Sequence, residues 1–64
     1  MNKIRNMDYN SLVINIFRDA NKKHYVTVMH PNTKHIIHHA YVFSSEAKAI
    51  SYGMGWIDCN QASN

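Results

Sequence analysis

The chain has 64 residues, with seven Lys or Arg against four Asp or Glu, five His and one Cys. That length holds one hydrophobic core and excludes a second, and the lone Cys59 excludes an internal disulfide. The formal charge of +3 is below the density of a dedicated nucleic-acid binder.

Residues 1–11 show no sustained hydrophobic period and are rich in Asn and charge, which predicts a flexible arm. From Leu12 the period becomes two, and the β-branched content predicts a strand. The turn-formers of 19–23 end it and open a hairpin into a second strand over 24–30. Pro31-Asn32-Thr33-Lys34 makes the next turn, into a third strand over 35–43. Symmetric turns set Ile16 opposite Val26, Ile14 opposite Val28, Val28 opposite Ile37 and Val26 opposite His39. One face then gathers Leu12, Ile14, Ile16, Val26, Val28, Ile37, Tyr41 and Phe43 as the core. The other carries Val13, Asn15, Phe17, Tyr25, Thr27, Met29, Ile36, His38 and Ala40, which is unusually apolar for a surface facing water.

Ser44 or Ser45 suits a helix N-cap, and Glu46 suits the first turn. Phe43, Ala47, Ile50, Met54 and Ile57 recur at three-and-four spacing and are expected to close the core. Ala49, Tyr52 and Trp56 form a second stripe that a single core-facing helix does not need. Gly53 and Gly55 each cost a helix about 1 kcal/mol relative to Ala, so the last turns are expected to be weak. The expected fold is α+β: a three-stranded antiparallel sheet of two consecutive hairpins on one C-terminal helix (βββα). The domain occupies 12–59, with a polar tail over 60–64.

No apolar run approaches the roughly 20 residues needed to cross a bilayer, and no signal-like segment opens the chain. The expectation is a soluble protein in a reducing, cytoplasmic setting, with no membrane partner. The run His35-Ile-Ile-His-His39 invites a metal reading. On a strand, however, His35 and His39 lie about 13 Å apart and His38 points to the opposite face, so no metal site is expected. Cys59 follows Asp58 at a helix C-terminus, where both features oppose thiolate formation. With no nucleophile elbow, phosphate loop or paired carboxylates, neither an enzyme nor a cofactor site is expected. Four of the five histidines lie within 30–39, so lowering the pH through about 6.5 is expected to charge that hairpin and alter binding.

Two binding readings remain. The order of elements and the run Tyr41-Val-Phe-Ser-Ser-Glu-Ala47 resemble the strand-to-helix junction of the arm-binding domains of phage integrases and of plant ethylene-response factors. That resemblance implies a sheet laid into the DNA major groove through Arg and Trp on its free face. Here the predicted free face has no Lys or Arg, so the donors for base readout are missing. A nucleic-acid reading would instead use Arg18, Lys22, Lys23 and Lys34 at strand ends and turns, together with the arm. The favoured reading is a small protein-binding module, a regulator, adaptor or inhibitor of a larger protein, of a size seen among phage-encoded proteins and capable of self-association as a homodimer. Its candidate contact residues are Phe17, Tyr25, Met29 and Ile36 on the free sheet face and Tyr52 and Trp56 on the outer helix stripe. Open strand edges offer a further route to pairing.

Overall fold

A computed structural model describes residues 1–61. Four strands, β1 (Asn2–Tyr9), β2 (Leu12–Arg18), β3 (His24–Met29) and β4 (Ile36–Phe43), precede one helix, α1 (Glu46–Gln61). The strands form a single antiparallel meander in chain order. The expected α+β class, with a sheet followed by a C-terminal helix, is therefore present, with one more strand than the sequence suggested.

The extra strand is the segment expected to be a free arm. A register shift between Lys3 and Arg5 breaks the alternation there. Ile4 thus falls out of step with Met7 and Tyr9, although all three pack against the core. A bulge of this kind erases the period-two signal while leaving the strand paired. The β1–β2 connection is a two-residue turn at Asn10 and Ser11, both with positive φ (49° and 69°). This is the conformation whose twist matches the flanking strands. Its usual Gly is replaced here by Ser, which hides it from inspection.

β2 and β3 pair as expected, with Ile14 opposite Val28 and Ile16 opposite Val26. Their shared turn is organised by Asp19. Its Oδ1 accepts the N–H groups of Asn21 and Lys23, both at 2.9 Å, and its Oδ2 accepts the Tyr25 hydroxyl at 3.2 Å. The β3–β4 turn over 31–34 also forms as expected, with the His30 N–H donating to the His35 carbonyl at 3.0 Å.

Beyond that turn the register departs from expectation. Val28 lies opposite His38 and Val26 opposite Ala40, because the ladder shifts between Val28 and Met29 and shifts again between His24 and Val26. One inserted residue sends every following side chain to the other face. His38 and Ala40 therefore point inward beneath the helix, whereas Tyr41, expected in the core, points outward and is 65% exposed. The second shift restores Phe43 to the inner face.

Ser45 caps α1, its Oγ accepting the Lys48 N–H at 3.2 Å. The helix continues past Gly53 and Gly55 through Gln61, so Asn60 and Gln61, expected in a polar tail, belong to it; the rest of that expected tail, 62–64, lies outside the described residues. The helix lies mainly over β2 and β3. Its buried line is Ala49, Gly53 and Ile57, and Ala47 is exposed. At about 100° per residue, this turns the helix roughly 80° from the stripe expected through Ala47, Ile50 and Met54. The cause is Gly53. A Cβ there would lie 3.2 Å from two Ile14 carbons and 3.3 Å from Val26 Cγ2, so the bare backbone is what allows the helix to settle so deeply. Ile50 and Met54 flank this line on one side, Tyr52 and Trp56 on the other, and all four still contact the core. Two links tie the helix to β1: an ion pair of Arg5 with Glu46, and the Tyr9 hydroxyl bonded to the Asp58 carboxylate at 2.9 and 3.0 Å.

Candidate functional site

With one helix on one face, the sheet leaves its other face uncovered by any second layer among the described residues. The molecule is a slab with Cα extents of 38 × 22 × 15 Å. The strand registers arrange the outward side chains in three rows that cross the sheet. Asn6, Asn15, Thr27 and His39 form the middle row. On one side stand Lys3, Phe17, Tyr25 and Tyr41; on the other stand Asp8, Met29, Ile36 and Val13, the last of them buried at 5% exposed.

The middle row is polar and largely self-satisfied. Asn6 Nδ2 donates to Asn15 Oδ1 at 2.6 Å, and Asn15 Nδ2 to Thr27 Oγ1 at 3.5 Å. Asn15, at 3% exposed, thereby keeps a buried amide bonded on both sides. The flanking rows are apolar apart from Lys3 and Asp8. The Tyr25 and Tyr41 rings pack at 5.2 Å, and Phe17, Tyr25, Ile36, His39 and Tyr41, with Met1 from the N-terminus, line a shallow, almost wholly apolar recess of about 220 Å³. Desolvation among these neighbours, followed by the bond to Asp19, raises the Tyr25 hydroxyl above its ordinary value.

Of the residues anticipated for protein contact, Phe17, Tyr25, Met29 and Ile36 share this face, as expected. Tyr41 joins them through the bulges of β4, which no sequence period could reveal. Tyr52 and Trp56 do not form an outer stripe. The Trp56 ring stacks on His38 with centroids 4.4 Å apart and planes 7° apart, and the Tyr52 hydroxyl lies 2.6 Å from His38 Nε2 in a hydrogen bond. These two aromatics close the β4 side of the core. Their stripe was misread because the inward turn of His38 was not foreseen.

The basic residues are divided. Arg18 and Lys22 line a polar recess at the β2–β3 end, and Lys23 follows in the same turn. Lys34 lies in the turn at the opposite end of β3, roughly 20 Å away for a six-residue strand. Among the described residues the open face carries one cation, Lys3, supplied by β1.

The histidines are likewise dispersed. His24 is buried on the inner face with Nδ1 lacking a hydrogen-bond partner, His38 is inward against Trp56, and His39 is outward beside Tyr41. Among the described residues no group of three His, Cys, Asp or Glu is close enough to hold a metal ion. Cys59 is exposed and free, and among the described residues no helix is long and apolar enough to cross a membrane. The structure thus defines a small open-faced α+β domain, a four-stranded meander roofed on one side only. Comparison with protein-family models, with curated proteins and with solved structures finds no match for this chain.

Proposed function

We propose that this chain is a non-enzymatic protein-binding module that docks its open sheet face on a protein partner, either a different protein that it regulates, adapts or inhibits or a second copy of itself. One observation carries this reading: Phe17, Tyr25, Met29, Ile36 and Tyr41 stand on one sheet face that the helix does not cover, and all but Met29 line an apolar recess there. Aromatic residues and Met are the types enriched in the centres of interfaces, and a contiguous patch of them is uncommon on a surface that only meets water.

The nucleic-acid alternative has weaker support, since its cations lie at opposite ends of the sheet and only Lys3 stands on the face. Capture from an extract of the source cell, with Met29→Asp and Tyr41→Ser as controls, tests the proposal. The expected result is one partner protein retained at high salt by the parent chain and by Lys22→Glu/Lys23→Glu, and lost by both face variants. Binding that collapses between about 50 and 200 mM salt and fails in the Lys22→Glu/Lys23→Glu chain would refute it in favour of nucleic acid.

A further inference from the structure

The three rows of the open face have a symmetry that the chain itself does not need. Val13 and Phe17 stand on either side of Asn15, and Met29 and Tyr25 on either side of Thr27. Lys3 and Asp8 stand on either side of Asn6. Bulk is therefore unequal on the two sides of the middle row, rings on one and smaller or more flexible side chains on the other, and charge is opposite. Both charged residues are exposed, and neither takes part in an ion pair among the described residues.

A surface with this pattern is complementary to itself after a half-turn about an axis running along the middle row. We infer that the open face pairs with the open face of a second copy of this chain, in a two-fold dimer that sets Lys3 of each copy against Asp8 of the other.

The pairing is isologous, so each contact occurs twice. The half-turn lays Tyr25 over the second copy's Met29 and Tyr41 over its Ile36, and sets Phe17 above Val13, which at 5% exposed offers little surface of its own. Each large ring then meets a smaller or more flexible side chain, and sulfur meets an aromatic edge. Two stacked sheets pack about 10 Å apart with their strands within about 30° of alignment, and the long lysine side chain absorbs that offset at the rim. The Asn15 side chain, deepest under the second layer, already bonds to Asn6 and Thr27, so covering it strands no amide.

The inference rests on the docking reading above but commits to one occupant, and charge reversal tests it apart from that reading. Lys3→Asp and Asp8→Lys lie on the exposed edge strand, where circular dichroism can verify that the fold is kept. Sedimentation equilibrium of the full chain at low salt, from micromolar to submillimolar concentration, should show a dimer. Either single reversal creates two like-charge contacts per dimer and should weaken it about tenfold, while the double reversal Lys3→Asp/Asp8→Lys restores the parent affinity. A parent chain that stays monomeric across the range overturns the inference, as does a dimer whose double reversal is no tighter than the singles. In either event the Met29→Asp and Tyr41→Ser capture experiment still decides whether the face docks on a different protein.

Discussion

Gly53 and Gly55 stand two residues apart on the same helix, yet adding a methyl group should move stability in opposite directions. Gly to Ala inside a helix ordinarily gains about 1 kcal/mol, because Ala surrenders less backbone entropy. At Gly55 nothing lies within 4 Å of the new Cβ, so Gly55→Ala should realise that gain. At Gly53 the Cβ would meet Ile14 Cδ1 and Cγ2 at 3.2 Å and Val26 Cγ2 at 3.3 Å. Both partners are fully buried in the centre of the sheet, and two of the three atoms sit on branched carbons that cannot swing aside. The helix must rise, loosening Ala49 and Ile57 with it, at an overpacking cost of about 2 kcal/mol. Gly53→Ala should therefore be about 1 kcal/mol less stable than the parent. For a domain of this size 1 kcal/mol corresponds to about 4–8 °C in Tm, so thermal unfolding followed by circular dichroism should separate the two variants by roughly twice that interval. Equal rises in Tm for both variants would refute the claim that Gly53 sets the depth and rotation of the helix.

The β1–β2 turn holds Ser11 at φ 69°, where a non-Gly side chain is strained, so Ser11→Gly should stabilise the fold by about 1 kcal/mol, measured as a raised urea midpoint with unchanged slope. Asp19 is held below its ordinary carboxylate value chiefly by the Lys23 backbone N–H, with help from the Asn21 N–H and the Tyr25 hydroxyl. A depressed acid contributes stability above its unfolded value of about 3.9 and loses it as the pH falls through the lower folded value. The stability difference between the parent and Asp19→Asn should accordingly be largest at neutral pH and shrink below about pH 4; a gap that stays constant to pH 2 would contradict this role. Trp56→Ala removes the ring stacked on His38 and should cost about 2–3 kcal/mol in chemical denaturation, less than the 3–5 typical of a fully buried Trp, while leaving the open face able to dock.

What the sequence disclosed and what it concealed divide along physical lines. The β2–β3 hairpin was legible because no bulge interrupts its ladder, Ile14, Ile16, Val26 and Val28 recur at period two on its inner face, and the turn between the strands carries recognisable residues. The capped start of the helix was legible because Ser45 and Glu46 are local signals. The bulged strands were not. In β1 a single displaced residue, Ile4, removed the period on which strand recognition depends. In β4 two displacements changed which of Ile37, His38, Ala40 and Tyr41 face the helix. A bulge is chosen by the neighbouring strand and the layer above it, and nothing local to His-Ile-Ile-His-His announces it. The rotation of α1 was hidden for a related reason, since Gly53 reads as a defect by propensity and as a contact only when Ile14 and Val26 are seen beneath it.

The same displacements shape the candidate site. Had β4 kept its alternation, Tyr41 would have been buried and His38 exposed, leaving the open face a smaller apolar surface beside a polar edge. The bulge at Ile37 instead turns His38 inward to stack on Trp56 and turns His39 and Tyr41 outward, where both line the apolar recess and Tyr41 packs on Tyr25. β1 then supplies the two charges that give the face a direction, Lys3 at one end and Asp8 at the other. Core closure and surface construction are thus one event in this fold: the irregularities that let one short helix seal the inner face also assemble the outer one.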